Sequence, residues 1–131
     1  MVDRARLLIA DDNDDIRDLL AAMLRPEYEI VALASDGKAA VDLATELEPD
    51  LALLDISMPV MDGLTAARRM TQLRRVPKIV FISNHNDAAY VEAAFGLGAR
   101  GYVFKTTLDS ELIVAIRAVL AGGTYRPAKL E

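Results

Sequence analysis

Apolar residues recur along this chain in two alternating rhythms. A short unbroken run, Arg6 to Ala10, gives way to Ile16, Leu19, Leu20 and Met23 at helical spacing within Asp14 to Leu24, and Pro26 closes that helix. Tyr28 to Ala34 is rich in strand formers, and Ser35-Asp36-Gly37 supplies a turn and cap before a second helical pattern, Ala39 to Leu47. Pro49-Asp50 breaks the chain again. Leu51-Ala52-Leu53-Leu54 is then continuously apolar, the pattern of a strand buried on both faces of a parallel sheet. Beyond Ser57-Met58-Pro59, the spacing predicts a helix from Gly63 to Leu73 and a strand from Lys78 to Ser83. It further predicts a helix from Ala88 to Phe95, a short strand at Tyr102-Val103-Phe104, and a last amphipathic helix from Leu108 to Ala121, stopped by Gly122-Gly123.

The pattern amounts to five strands and five helices in strict alternation. Short connections between alternating strands and helices imply a parallel sheet with helices on both faces and right-handed crossovers. In such folds ligands bind outside the carboxyl ends of the strands, at the topological switch point. The residues at those ends form a short list: Asp11-Asp12 after the first strand, Asp55 after the third, Ser83-Asn84 after the fourth and Lys105 after the fifth.

Singly, each has an ordinary reading, because Asp and Ser cap helices and Lys covers surfaces. Jointly they describe chemistry. Three carboxylates meeting at one edge repel unless a hard cation compensates, and Mg²⁺ suits the position: it takes one or two carboxylates, keeps waters and bridges to phosphate oxygens. The remaining carboxylate is free to attack phosphorus and form an acyl phosphate, and Asp55 is the central one. Lys105 is placed to pair with the phosphoryl oxygens and Ser83 to hydrogen-bond one of them.

Composition narrows the classes. At 131 residues and 53% apolar, the chain is one domain able to bury its own core. The absence of cysteine excludes disulfides, thiol nucleophiles and Cys-based zinc sites. A net charge of −5 disfavours nucleic-acid binding by the domain itself, and Arg68-Arg69 with Arg74-Arg75 read as a solvated face. No membrane-spanning run occurs, and Met1-Val2-Asp3-Arg4 leads into no secretory signal, so cytoplasm is the expected compartment. His85, the single histidine, has no second His or Cys to make a metal site and reads as a loop residue that shields the strand ends from water.

With these residues in order, the chain resembles the response-regulator receiver domain of two-component signalling: Asp11-Asp12, Asp55 followed by Met58-Pro59 and Asp62-Gly63, then Ser83, then Lys105. The resemblance runs from about Arg6 to Ala121 and implies a flavodoxin-like (βα)5, doubly wound five-stranded parallel sheet in the order 2-1-3-4-5. It implies a receiver domain over 1–122 and a tail or linker start over 123–131. It implies that Asp55 is the phospho-acceptor, that Asp12 and Asp55 with help from Asp11 hold Mg²⁺, and that the Ser57 backbone carbonyl completes the protein ligands. Lys105 would contact the phosphoryl group, Ser83 would move towards it, and Tyr102 would rotate between exposed and buried positions. Such a domain is no conventional enzyme, although it promotes its own phosphorylation and dephosphorylation.

Where the family commonly carries Pro after its Lys, Thr106-Thr107 stands here. That departure, with Gly98 to Lys105 and Gly122-Gly123, is similar to the subfamily that usually carries a LuxR-type DNA-binding domain, and no such domain is legible in these 131 residues. The implied partners are a sensor histidine kinase and a second copy of the chain, with DNA reached only through an effector domain. Two other functions compete. A phosphorylation-independent interaction module would let the pocket degenerate, and a small-substrate phosphohydrolase would place a carboxylate where Ser57 stands.

Overall fold

A computed structural model describes residues 3–127. The elements run β1 (Arg6–Ala10), α1 (Asp14–Leu24), β2 (Glu29–Ala34), α2 (Gly37–Leu47), β3 (Leu51–Asp55), α3 (Gly63–Met70), β4 (Lys78–Ser83), α4 (Ala88–Gly96), β5 (Gly101–Phe104) and α5 (Leu108–Leu120), with one 3₁₀ turn at Lys105–Thr107. All strand pairs are parallel, and the order is β2-β1-β3-β4-β5. The chain reverses its direction of travel between β1 and β3, so the crevice at their carboxyl ends is the switch point.

Period-two alternation divides the strand residues between two apolar layers. Leu8, Leu54 and Phe81 face the layer covered by α2, α3 and α4, which contribute Ala40, Ala44, Ala67, Met70, Val91 and Ala94. Leu7, Ile9, Leu53, Val80, Ile82 and Val103 face α1 and α5, which contribute Leu20, Leu24, Leu112, Ile116 and Val119. With both faces covered, β3 is buried along its whole length, as its unbroken apolar run requires.

Side-chain caps start the helices where the strands end. Asn13, Asp36, Asp62 and Asp87 accept hydrogen bonds from Ile16, Ala39, Thr65 and Tyr90 N–H at 3.0, 2.8, 2.7 and 3.2 Å. Each satisfies a donor that the first helical turn leaves free, worth about 1 kcal/mol.

Several boundaries differ from the sequence reading, among them the end of α4 at Gly96 and of α5 at Leu120. α3 stops at Met70 rather than Leu73, because Thr71 Oγ1 turns back to the Arg68 carbonyl at 2.6 Å and a turn follows. β2 starts one residue after Tyr28, whose N–H still bonds the Leu24 carbonyl at 2.9 Å as part of the α1 exit. β5 begins at Gly101. Of the expected tail, residues 128–131 lie outside the described residues, while Tyr125 pairs in parallel with Gly101 on the free edge of β5. No helix of the described residues is long and apolar enough to cross a membrane.

Candidate phosphorylation site

The carboxyl ends of β1 and β3 bring Asp11, Asp12 and Asp55 together, with one carboxylate oxygen from each lying within 4.8 Å of the others. Asp11 and Asp55 are buried and Asp12 is exposed, so the cluster opens to solvent on one side only. Asp11 is held through its backbone and one oxygen. Its N–H donates to Ala34 O at 3.0 Å, its carbonyl accepts from Arg17 Nη1 at 2.8 Å, and its Oδ1 accepts from Asn13 N–H at 2.9 Å.

Lys105 closes the cluster from the far side. Its ammonium donates to Asp55 Oδ2 at 3.0 Å and lies 3.0 Å from Asp11 Oδ2, with only 14% of the side chain exposed. The lysine is the first residue after β5, two strands away from β3, so the sheet order makes this contact. Burial works to lower the Lys105 pKa, but its contacts with Asp11 and Asp55 outweigh burial and hold it above the ordinary lysine value. For Asp55, burial and then the Asp11 charge push the carboxyl above its ordinary range, opposed by Lys105.

The donor set fits a hard divalent cation. All candidate ligands are oxygens, and Asp11 Oδ2 is a buried oxygen that accepts no hydrogen bond although it faces the Lys105 ammonium. One lysine beside two buried carboxylates leaves negative charge uncompensated. A cation bound between Asp12 and Asp55 would supply the balance.

Two glycines set the loop after Asp55. Gly63 N–H donates to Ile56 O at 2.7 Å and Gly37 N–H to Met61 O at 3.0 Å. A Cβ on Gly63 would stand 2.1 Å from the Asp55 carbonyl oxygen, and one on Gly37 would stand 2.1 Å from Met61 O. Backbone is the obstacle in both cases, so no side chain can step aside. Between these supports Val60 is held at φ +68° and is 77% exposed, an unfavourable conformation for a β-branched residue. We predict that Gly63→Ala costs about 2 kcal/mol or more, seen as a lowered urea midpoint at unchanged slope.

The remaining sequence candidates lie one step out. Ser83 is buried, and its Oγ accepts from His85 N–H at 2.9 Å rather than touching Asp55. Tyr102 is fully buried where a lone strand aromatic reads as half-buried, and its hydroxyl donates to the His85 carbonyl at 2.7 Å. Ser57 N–H reaches Asp55 Oδ1 only at 3.4 Å, while its hydroxyl meets His85 Nε2 at 3.2 Å. The His85 ring stacks on Tyr90 with centroids 4.0 Å apart. Ser57, His85 and Tyr90 thus line, with Asp12, Met58 and Asp62, an open cleft of about 510 Å³ beside the cluster. The Lys105-Thr106 peptide is trans, as expected for a bond not preceding proline.

Sequence reasoning missed three of these contributors. Arg17 holds the Asp11 carbonyl, Asn13 holds its side chain, and Tyr90 supports His85. Only the Asn13 contact leaves a signal, since an Asp side chain commonly accepts from the backbone N–H two residues on.

Comparison with known proteins places the chain in a single family. The family model described as the response regulator receiver domain matches residues 7–117. The transcriptional regulatory protein LnrK of Bacillus subtilis (strain 168) is 34% identical over 127 residues, covering 95% of this chain and 58% of that protein. LiaR, a transcriptional regulatory protein of the same strain, is 38% identical over 119 residues, covering 89% of this chain and 56% of LiaR. The crystal structure of a LuxR-family two-component response regulator from Aurantimonas sp. SI85-9A1 superposes with a TM-score of 0.88 at 34% identity, covering 93% of this chain and 89% of that one. The chain therefore spans little more than half the length of these curated relatives.

Proposed function

This chain belongs to the response regulator receiver domain family, and on that premise we propose that Asp55 is the residue that accepts the phosphoryl group and so turns the domain into a signalling switch. The observation that carries the proposal is the buried Asp55 carboxylate facing Lys105 at 3.0 Å, beside a second buried carboxylate, Asp11, that must share the same ammonium. An Asp55 oxygen attacks the phosphorus of an acyl phosphate or phosphohistidine. The P–O or P–N bond of the donor breaks, its electron pair leaves with the carboxylate or imidazole, and an aspartyl phosphate remains. Attack by water on the same phosphorus breaks the aspartyl O–P bond, releases inorganic phosphate and returns the free Asp55 carboxylate.

The chain's own residues supply position and charge. Lys105, already pointed into the cluster, pairs with the oxygens of the incoming group as its bond to Asp55 is given up. Asp12 and Asp55, with Asp11 beside them and the Ser57 backbone carbonyl, would hold Mg²⁺. When bound, that ion neutralises the charge gathered on the phosphoryl oxygens. Ser83 hydrogen-bonds the new group after releasing the His85 N–H, which favours the rearranged β4–α4 loop by contacts absent before phosphorylation.

The donor is a sensor histidine kinase or a small phosphodonor, in the cytoplasm. The output is transcriptional, as the names of the relatives suggest, and DNA is reached through an effector region beyond the receiver domain, with a second copy as partner. An intact pocket speaks against an interaction module indifferent to phosphorylation. Mg²⁺ with beryllofluoride, a stand-in for the phosphoryl group, is predicted to change the fluorescence of the tyrosines and to lose that effect in Asp55→Ala. Unchanged fluorescence in the parent protein would refute the assignment.

A further inference from the structure

The chain does not leave the sheet at the end of α5. Gly122 turns it with φ +98°, Gly123 N–H caps the Ala118 carbonyl at 2.9 Å, and residues 124–127 run back along the exposed edge of β5. Tyr125 N–H donates to Arg100 O at 2.9 Å, and Tyr102 N–H donates to Tyr125 O at 3.1 Å. The edge strand is thus covered by a short backbone strap.

The strap is tied to both neighbouring helices. The Tyr125 hydroxyl donates to the Glu111 carboxylate on α5, while Arg126 pairs with Glu92 on α4 at 2.7 Å and lays its guanidinium 4.0 Å over the Phe95 ring. These two helices are unequally fixed. α5 buries Leu108, Leu112, Ala115, Ile116 and Val119, whereas α4 buries only Val91 and Ala94. Burial of apolar surface sets how costly a helix shift is, so shifting α4 costs less than shifting α5.

Tyr102 joins the strap to the phosphorylation site. Its backbone N–H holds Tyr125, its hydroxyl holds the His85 carbonyl, and His85 N–H in turn holds Ser83 Oγ. A displacement of Ser83 towards Asp55 therefore pulls on the 84–87 loop, which leads directly into α4, while β5 and α5 keep Tyr125 in place.

We propose that residues 124–127 are the element that reads the state of Asp55: the Arg126 tie to α4 is closed in the unphosphorylated domain and opens when Asp55 is phosphorylated, with Tyr125 remaining on β5. The proposal rests on phospho-acceptance at Asp55. Arg126 opens first because its ion pair is exposed, Arg126 by 48% and Glu92 by 64%, and exposed pairs hold weakly. Through this tie the helix nearest the switch loop controls the course of the chain that follows the domain.

Linkage makes the proposal testable from either end, since a contact broken by phosphorylation opposes it. Arg126→Ala and Glu92→Gln should each bind beryllofluoride with Mg²⁺ up to roughly fivefold more tightly than the parent protein, with no further gain in the double variant. Arg74→Ala, an equally basic surface change, should bind as the parent does. In the parent, the ring-current shift of the Arg126 side-chain protons over Phe95 should collapse on adding beryllofluoride. Normal beryllofluoride binding with an unchanged Arg126 shift and unchanged variant affinities overturns the strap and leaves the Asp55 assignment standing. Absence of beryllofluoride binding in the parent overturns both.

Discussion

Replacing Lys105 with Met is expected to cost the metal-free protein about 3 kcal/mol of stability and to slow phosphorylation by roughly a hundredfold. Two buried carboxylates, Asp11 and Asp55, share the Lys105 ammonium at 3.0 Å each, and methionine fills the volume while removing the charge. Removing one partner of a buried ion pair leaves the other uncompensated, which costs more than the pair gained on forming. Here two carboxylates are stranded, so the protein protonates one or admits a cation. Mg²⁺ should therefore stabilise Lys105→Met more than it stabilises the parent, the variant itself gaining about 2.7 kcal/mol at a hundred times its own Kd. Thermal melts in chelator and in Mg²⁺ give both numbers. No Mg²⁺ effect in either protein would mean that the cluster does not bind the ion, and equal effects would mean that Lys105 does not compete with it.

Asp55→Asn should have the opposite effect on stability while removing phosphoryl acceptance altogether. Burial and the Asp11 charge raise the Asp55 pKa above 3.8, so the fold prefers the neutral carboxyl. A raised pKa contributes stability that is complete below the unfolded value and lost as pH climbs through the folded one. As pH climbs through the folded value the parent loses that contribution, whereas asparagine stays neutral at every pH. In chelator, Asp55→Asn is expected to melt above the parent at about pH 7, with the margin shrinking as pH falls towards about 4. Mg²⁺ should narrow the margin from the other direction, because only the parent offers a second charged ligand beside Asp12. A variant less stable than the parent at neutral pH would show that Asp55 is held charged by the fold itself.

Much of this was legible in the residues. The apolar run Leu51–Leu54 ending on Asp55 announced a central strand, and acidic or basic residues at neighbouring strand ends announced the cluster, because a parallel sheet has only one edge at which they can meet. Asp36 declared its helix through capping. What stayed hidden depends on contacts that carry no period. Arg17 sits on a helix as any exposed arginine does, and only the fold aims it at the Asp11 carbonyl. The His85 stack on Tyr90 joins a loop to a helix start, and full burial of Tyr102 follows from α4 and the 84–87 loop closing over a strand only four residues long. Tyr125 pairs with β5 through a single bridge, too short for any alternation to mark it as strand. Val60 at φ +68° is similarly invisible, since a valine predicts extended backbone.

The central claim concerns one atom pair, an Asp55 oxygen and the phosphorus of a donor, and mass spectrometry addresses it directly. Intact protein incubated with a small acyl phosphate and Mg²⁺ should gain the mass of one phosphoryl group. Rapid borohydride trapping and peptide mapping should locate it on Asp55, and chelator should suppress it. A phosphoryl group found on any other residue, or none under conditions where Mg²⁺ demonstrably binds, would contradict the account.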